Sequence, residues 1–349
     1  MSASRVWIAT NNGAIGGGEV MLMHIAEALR ELGRDVTVVA PRHPSDLADA
    51  ARAKALDVEV LDAHDRVTWM LALRRWDRRH RDGILWCNGL VPAAATAGRR
   101  NRIVHLHQYP EGKKGIVARL ARVRALLTVV PSQHFAGTVP GSVVLLNWTS
   151  AFEPTARRRR PEDPFVVGYL GRLGMDKGVH VLAGAIGELA ERMPGRVRLR
   201  LAGESRFVDS RSSEVVAEAL AGVSALTDRV GWVRPQDLFD AVDVLVVPSV
   251  VAEPFGLVAA EAMSAGVPVI VSDAGGLPEV VGPEHGATVP AGDRGALVDA
   301  IAALAQQKSE ARPVDQRLRW ERMFSPAAGR ERVAELMETA TRAAGRLGE

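Results

Sequence analysis

Short apolar segments alternate with helix-period segments twice along the chain, and no other feature constrains the fold as much. The first series reads RVWIAT, DVTVVAP, VEVLD, ILWCNG, RIVHLHQ, LLTVVPS and SVVLLN, and the second reads FVVGYLGR, VRLRLAG, RVGWV, VDVLVVPS and VPVIVSD. Strands that are apolar on both faces and separated by helices form parallel sheets covered by helices. The pattern predicts an α/β protein with two doubly wound domains, whose ligands bind at the carboxyl ends of the strands.

The segment TARRRRPEDP at residues 155–164 interrupts the alternation and is predicted to be a linker. Its four arginines are interpreted as a solvated surface, with a phosphate or lipid contact as the alternative. Residues 1–154 and 165–325 then form the two domains. The chain is predicted to be helical from Gln316 to about Gly345, and residues 326–349 form a C-terminal helix that could pack on either domain.

Length, charge and cysteine content exclude several classes of protein. A chain of 349 residues is longer than one hydrophobic core usually supports, so two domains are expected. The net charge is only +3, from 44 basic and 41 acidic residues, so nucleic acid is not an expected partner. Cys87 is the sole cysteine, which indicates a reducing compartment. With no secretion signal in the sequence, a cytoplasmic location is expected, with the inner face of a membrane as the alternative.

A glycine cluster, Gly16-Gly17-Gly18, follows the first strand and opens a helix. Backbone N–H groups at a helix start suit an anion, so a phosphate or substrate loop is expected here, and a turn needed only for close packing is the alternative. The spacing is not G-x-G-x-x-G, and the second strand ends in VVAPRHP without an acid for a ribose. Both observations disfavour a dinucleotide cofactor.

Two further motifs follow strands of the second series. GRLGMDKG places Arg172 and Lys177 beyond a strand, where a planar guanidinium and an ammonium suit a diphosphate. EPFGLVAAE follows VDVLVVPS and carries Glu253 and Glu261, with a helix predicted to begin near Gly256. The first N–H groups of that helix are free to bind a phosphate or sugar oxygen.

Together GGGE, GR-x4-KG and E-x7-E resemble the retaining glycosyltransferases of family 4 (glycosyl transferases group 1), which have the GT-B fold. The resemblance implies two Rossmann-like domains facing each other across a central crevice. It also implies that Arg172 and Lys177 neutralise a departing nucleoside diphosphate, that Glu253 binds hydroxyls of the transferred sugar, and that His107 lies beside that sugar. His105, two residues earlier, is interpreted as a packing residue.

The same resemblance implies further contacts and a reaction. Implied substrate-binding residues are Gly16, Gly17, Gly203, Val233, Phe255, Gly256, Leu257 and Glu261, and weaker acceptor candidates are Asn11, Tyr109 and Lys113. The implied activity is retaining transfer of a hexose from a nucleotide-sugar, a UDP-sugar before GDP-mannose, to a hydroxyl of an unidentified lipid, saccharide or small metabolite. No cofactor is expected, and no Asp-x-Asp metal motif occurs.

Two other functions stay open at this point: a sugar-nucleotide epimerase of the same fold, and a non-catalytic nucleotide-sugar binding module. The nucleotide base is also open, because AGESRF departs from the family pattern. Two basic and apolar segments, VTWMLALRRWDRRHR and KKGIVARLARVRALL, have two interpretations. Each is an amphipathic helix packed on the sheet, or a surface in peripheral contact with an anionic membrane.

Overall fold

The computed structural model describes residues 5–154, 160, 162–205, 208–283, 288–306 and 314–346. The chain divides into two compact units. The first unit consists of Met1–Trp148 with Pro326–Glu349, and the second unit consists of Thr149–Ser325. Most of the predicted linker at 155–164 lies outside the described residues.

The first domain ends at Trp148 and not at residue 154 as predicted. Hydrogen bonds and a ring contact attach the intervening residues to the second unit. The backbone N–H of Thr149 donates to the carbonyl of Phe324 at 3.0 Å, and Trp320 Nε1 donates to Thr149 Oγ1 at 2.8 Å. The ring of Phe152 lies 5.3 Å from that of Phe239.

The first unit contains a seven-stranded parallel sheet with strand order β3-β2-β1-β4-β5-β6-β7. Its strands are β1 (Arg5–Ala9), β2 (Asp35–Pro41), β3 (Asp57–Leu61), β4 (Ile84–Asn88), β5 (Arg102–His105), β6 (Leu127–Val130) and β7 (Val143–Val144). Its helices are α1 (Gly17–Glu31), α2 (Asp46–Ala53), α3 (Arg66–Arg79), α4 (Leu90–Ala95), α5 (Lys113–Ala121), α6 (Gln133–Thr138) and α14 (Pro326–Arg346). Central strands are buried on both faces because helices cover the sheet.

The second unit contains a six-stranded parallel sheet with order β10-β9-β8-β11-β12-β13. Its strands are β8 (Phe165–Leu170), β9 (Val197–Ala202), β10 (Thr227–Gly231), β11 (Val244–Val247), β12 (Val269–Ser272) and β13 (Thr288–Val289). Its helices are α7 (Val179–Arg192), α8 (Ser210–Ala221), α9 (Pro235–Phe239), α10 (Leu257–Ser264), α11 (Leu277–Val281), α12 (Arg294–Gln306) and α13 (Val314–Met323). Strand β13 was not predicted, because its two paired residues give no periodic signal.

Strand order reverses at one place in each sheet, between β1 and β4 in the first unit and between β8 and β11 in the second. In doubly wound sheets, ligands bind outside the carboxyl ends of the strands at such a reversal. The motifs identified in the sequence follow β1, β8 and β11 directly, so both sheets present them at these positions.

The C-terminal region is two helices and not the single helical segment predicted from Gln316 to Gly345. Helix α13 ends at Met323, and α14 begins at Pro326, because proline is accepted in the first turn of a helix but not in its interior. Helix α14 packs on α1 within the first unit. Gly329 allows α14 to lie close to Trp148, since a Cβ there would lie 2.2 Å from the ring of Trp148.

Candidate functional site

The loop GRLGMDKG connects β8 to α7 and is held against the chain that leaves β11. Gly178 has φ +70°, and a Cβ at this position would lie 1.7 Å from the carbonyl oxygen of Pro248. The backbone N–H of Val250 donates to the carbonyl of Asp176 at 3.0 Å. Glycine permits both the positive φ and this close approach, so the contact between the two loops requires glycine at position 178.

Within this contact, the predicted cation and the predicted carboxylate meet each other. Lys177 Nζ lies 2.5 Å from Glu253 Oε1, and the same oxygen accepts a hydrogen bond from Ser249 Oγ at 2.6 Å. The side chains of Lys177 and Glu253 are 30% and 15% exposed, so the pair is partly shielded from water but open to a ligand. The structure therefore brings together residues that belong to separate motifs in the sequence.

The second predicted cation also has a carboxylate partner. The guanidinium of Arg172 forms an ion pair with Asp176, four residues later in the same loop. The carbonyl of Arg172 accepts a hydrogen bond from the buried Tyr169 hydroxyl at 2.6 Å, which fixes the start of the loop. An open pocket of about 270 Å³ adjoins this pair, lined by Arg172, Met175, Asp176, Val208, Asp209, Arg211 and Ser212.

Glu253 lies in a short segment that is anchored to the neighbouring turn. Its carbonyl accepts a hydrogen bond from the N–H of Gly276 at 2.8 Å, and it forms an isolated bridge with Gly275. Helix α10 begins at Leu257, as predicted, with Gly256 before it at φ +115°. Phe255 is buried, so it presents only its backbone to this surface.

Glu261 lies one turn into α10, where its carboxyl group is poorly hydrated. Burial raises its pKa to about 7, so a substantial fraction is protonated at neutral pH. A carboxyl group in this state can donate as well as accept a hydrogen bond.

The carboxyl ends of β8, β9 and β10 meet at glycines. The N–H of Gly203, which follows β9, donates to the carbonyl of Gly231 at 2.7 Å. Gly203 has φ +136°, and a Cβ there would lie 1.8 Å from the carbonyl oxygen of Gly171. Val233 is partly buried next to Trp232, whose side chain is 76% exposed. Part of the AGESRF segment, residues 206 and 207, lies outside the described residues.

In the first unit, the predicted glycine loop begins α1. Gly16 precedes the helix, and its N–H donates to Glu19 Oε2 at 3.3 Å, while Thr10 Oγ1 donates to Glu19 Oε1 at 3.3 Å. Glu19 is buried, which raises the pKa of its carboxyl group. This carboxyl group connects the end of β1 to the exposed turn at Gly16 and Gly17.

His107 follows β5 and contacts Asn88 at the end of β4. Its Nε2 lies 2.7 Å from Asn88 Oδ1, and Asn88 Nδ2 donates to the carbonyl of Gly18 at 3.1 Å. Because Oδ1 can only accept, Nε2 of His107 carries the proton and Nδ1 carries the lone pair. Burial lowers the pKa of His107 to about 4, so the ring is neutral at physiological pH.

His105 lies beneath His107 and is fully buried. The two ring centroids are 4.0 Å apart, and Trp86 Nε1 donates to His105 Nδ1 at 3.4 Å. Burial lowers the pKa of His105 well below its usual value. The neutral His105 ring therefore packs under His107 and adds no positive charge there.

The weaker acceptor candidates are scattered over the loops of the first unit. Asn11 is partly buried after β1, Lys113 is exposed at the start of α5, and the Tyr109 hydroxyl lies 3.3 Å from His134 Nδ1.

Asn88, Asp176 and Ser249 are among the residues that sequence reasoning missed and that contact the predicted ones. All three are polar: Asn88 ends β4, Ser249 follows β11 by two residues, and Asp176 lies in the loop after β8. Their position beside a strand-order reversal was the available signal. Among the described residues, no group of three or more His, Cys, Asp or Glu side chains lies close enough to hold a metal ion. No helix in the described part of the chain has the length and hydropathy needed to cross a bilayer.

The fold matches solved structures along nearly the whole chain. HepE of Anabaena, in complex with UDP-glucose, is 21% identical with a TM-score of 0.76, covering 96% of this chain and 99% of that one. A glycosyltransferase from Rickettsia africae is 14% identical with a TM-score of 0.76, covering 98% and 99%. These likenesses confirm the predicted GT-B fold class, an α/β fold with two Rossmann-like domains.

Sequence relatives cover a smaller part of the chain. Residues 164–307 match the model of the family described as Glycosyl transferases group 1. A D-inositol 3-phosphate glycosyltransferase of Corynebacterium efficiens is 32% identical over 217 residues, 58% of this chain and 50% of the relative. An uncharacterized glycosyltransferase of Methanocaldococcus jannaschii is 34% identical over 124 residues, 34% of this chain and 30% of the relative. The chain therefore spans half or less of the length of these curated relatives.

Proposed function

We propose that the protein is a glycosyltransferase that moves a sugar from a nucleotide-sugar donor to a hydroxyl acceptor. The observation that carries the proposal is the contact between the Arg172–Lys177 loop and Glu253, at the carboxyl ends of β8 and β11. This contact lies inside the region 164–307 that matches the glycosyltransferase family. Two cations and a carboxylate acceptor of hydroxyl hydrogen bonds suit a diphosphate joined to a sugar.

In the proposed donor complex, the cations exchange their partners. Lys177 and Arg172 leave Glu253 and Asp176 for phosphate oxygens, and Glu253 then accepts hydrogen bonds from hydroxyls of the transferred sugar. The N–H groups at Gly256 and Leu257 begin α10, where unpaired donors favour phosphate or sugar oxygens. The buried Phe255 contributes its backbone only.

The remaining donor contacts follow the family resemblance. Glu261 binds the ribose, and the loops at Gly203 and Val233 form the base pocket. We favour a UDP-sugar over GDP-mannose, and the UDP-glucose complex of the structurally similar HepE supports that order. In the first unit, we assign the backbone at Gly16 and Gly17 to the diphosphate and neutral His107 to the transferred sugar.

The proposed reaction retains the anomeric configuration. The bond between the anomeric carbon and the diphosphate oxygen breaks, and the acceptor oxygen bonds to the same face of the sugar. The leaving phosphate oxygen takes the acceptor's proton, so the products are the glycoside and the protonated nucleoside diphosphate. The developing charge is stabilised by Arg172, Lys177 and helix N–H groups, with no cofactor or metal in the proposed mechanism. NMR of the new glycosidic linkage tests whether the anomeric configuration is retained. Turnover measured in the presence of a metal chelator tests whether the reaction proceeds without a metal ion.

Two alternatives predict different products from the same donor. A sugar-nucleotide epimerase would convert the donor without any acceptor, whereas a transferase releases a nucleoside diphosphate when the acceptor is added. A non-catalytic binding module would bind the nucleotide-sugar and leave it unchanged. Chromatography of the donor after incubation, with and without a panel of lipid and saccharide acceptors, separates the three.

Calorimetric titration of UDP, GDP and dTDP tests the donor site directly. We expect one nucleotide to bind the wild-type protein and its affinity to fall about tenfold or more in Lys177→Ala, because a phosphate contact is lost. Lys54→Ala is the matched control, since Lys54 also forms a close ion pair, with Glu27 at 2.6 Å, outside the second unit. Failure of all three nucleotides to bind contradicts the proposal.

A further inference from the structure

Helix α5 of the first unit carries an unusual set of exposed apolar side chains. Together with the turn that follows it, the helix exposes Ile116 at 63%, Val117 at 41%, Leu120 at 61% and Val123 at 49%. The spacing between Ile116, Val117 and Leu120 places them on one face of the helix. Residues 113–124 are called the α5 surface below.

The inner face of α5 explains why these side chains face solvent. Ala118 and Ala121 are buried, and α5 packs on α4 through this side. Because the buried side is made of alanines, the larger side chains are not needed for the core of the unit. The interpretation that this segment packs its apolar stripe on the sheet is therefore wrong.

Helix α3, the other basic and apolar segment, behaves differently. Trp69, Leu73 and Trp76 are all buried in the core of the first unit, so its stripe does face the sheet, as one interpretation predicted. Val67 and Leu71 of α3 are exposed, at 66% and 63%, and provide a comparison on the same unit.

The charges around the α5 surface indicate which kind of partner could cover it. Lys113, Lys114, Arg119 and Arg124 are exposed around the apolar residues. The α5 surface contains no acid, and Glu111 just before it is the nearest in sequence. An apolar stripe with basic side chains around it complements an anionic phospholipid surface, where the apolar groups enter the acyl boundary and the cations meet phosphates.

We propose that the α5 surface docks the protein on an anionic membrane, with α5 lying in the plane of the interface. Helix α5 follows directly on the loop that carries His107 and Tyr109, so docking would bring lipid headgroups to that loop's side of the first unit. This inference does not rest on the proposed function. If both hold, the acceptor or product is a lipid or is presented at a membrane.

Vesicle co-sedimentation of the full chain tests the inference. We expect binding to vesicles of phosphatidylglycerol and phosphatidylcholine in equal parts, little binding to phosphatidylcholine alone, and release in about 1 M salt, where the Debye length is about 3 Å. Ile116→Ser with Leu120→Ser, and separately Lys114→Glu with Arg119→Glu, should each reduce partitioning about tenfold or more. Val67→Ser with Leu71→Ser is the matched control and should bind as the wild type does.

Three results would overturn the inference: no binding to anionic vesicles, binding that the α5 variants leave unchanged, or an equal loss in the α3 control. Light scattering measures the oligomeric state and detects a further outcome, in which the wild-type chain is a dimer, the α5 variants are monomers and neither binds vesicles. That result would assign the α5 surface to self-association and overturn the inference that it docks on a membrane. Circular dichroism checks folding, and nucleotide titration of the same variants keeps this inference separate from the donor site.

Discussion

The ammonium nitrogen of Lys177 lies 2.5 Å from Oε1 of Glu253, although the two residues are 76 positions apart in the sequence. The pair is shielded on one side by Ser249, whose hydroxyl donates to the same carboxylate oxygen. A ligand phosphate that binds Lys177 must therefore compete with Glu253. Before the donor binds, the ion pair can hold the Lys177 and Glu253 side chains near the positions that donor binding requires.

Substitution of each partner separates binding from turnover. Glu253→Gln weakens the competition for Lys177, so we expect nucleoside diphosphate affinity to stay the same or increase. Turnover should fall on the order of a hundredfold, because the charged acceptor of hydrogen bonds from the reacting sugar becomes a neutral amide. Lys177→Ala should reduce both affinity and turnover, the latter also by on the order of a hundredfold.

Calorimetry and a nucleotide-release assay measure the two quantities in the same preparations. Lys54→Ala, which breaks the ion pair with Glu27 in the first unit, serves as the control. Activity of Lys177→Ala or Glu253→Gln within a few fold of the wild type would remove that residue from the proposed mechanism.

Asn88 determines which nitrogen of His107 carries the proton. Its amide donates to Gly18 and accepts from His107, so the wild-type ring should be the neutral Nε2–H tautomer down to about pH 4. Asn88→Asp places a carboxylate beside the ring, and an opposite charge at this distance raises a histidine pKa by about 1 to 3 units. Histidine ¹⁵N NMR across a pH titration measures both tautomer and pKa.

Asn101→Asp provides a control for this experiment, because Asn101 is exposed and is followed directly by β5. It should leave the His107 signals unchanged. A wild-type ring protonated on Nδ1, or an Asn88→Asp ring that still titrates near pH 4, contradicts the assigned role. Activity alone could not make this distinction, since a structural asparagine would also lower it.

Glu261 makes the stability of the second unit depend on pH. Its pKa is raised by burial from 4.5 to about 7, so its contribution is fully present below pH 4.5 and is lost as pH rises through 7. At about 1.4 kcal/mol per pKa unit, the loss is at most about 3.5 kcal/mol. Glu261→Gln should flatten this dependence and raise the urea midpoint at pH 8 relative to the wild type.

Urea unfolding at pH 5 and pH 8, followed by a probe in the second unit, measures the effect. Glu218→Gln on the exposed side of α8 is the control and should keep the wild-type pH dependence. If Glu261→Gln and the wild type lose stability equally between the two pH values, the pKa of Glu261 is not raised in the folded protein.

Much of the fold was predictable because its elements have strong local signals. Eleven of the twelve predicted strands correspond to β-strands of four or more paired residues, and each motif lies where a parallel sheet places it. The C-terminal helix at 326–349 was given a start at the residue where α14 begins, Pro326. The continuous helix predicted from Gln316 was wrong, because apolar spacing continues across the gap between α13 and α14. The end of the first unit differs from the predicted residue 154 because hydrogen bonds between Thr149 and the distant residues Trp320 and Phe324 attach Thr149 to the second unit.

The residues of the candidate site were proposed from the sequence, whereas their pairing was not. Glycine and charge motifs after strand ends pointed to Arg172, Lys177 and Glu253, because ligands bind at the carboxyl ends of parallel strands. That Lys177 contacts Glu253 depends on the close approach of two loops, which no local pattern encodes. The partners Asn88 and Ser249 are common polar residues whose importance comes only from what they touch.

The close approach itself leads to a last prediction, which concerns Gly178. Gly178 and Gly195 have nearly the same φ, +70° and +71°, but different surroundings. A Cβ at 178 would lie 1.7 Å from the carbonyl oxygen of Pro248, whereas nothing lies within 4 Å of a Cβ at 195. Alanine at either position bears the cost of a left-handed conformation, about 1 to 2 kcal/mol. Only Gly178→Ala must also move the loop away from β11.

Gly178→Ala should therefore lower the unfolding free energy by more than Gly195→Ala and also weaken nucleotide binding, because Lys177 moves with the loop. Gly195→Ala should lose stability alone and bind the nucleotide as the wild type does. Urea unfolding and calorimetry on the two variants make the comparison, since φ is matched and the surroundings of the two glycines differ. Equal losses of stability, with nucleotide affinity unchanged in both, would mean that the loop contact does not position Lys177 for its ligand.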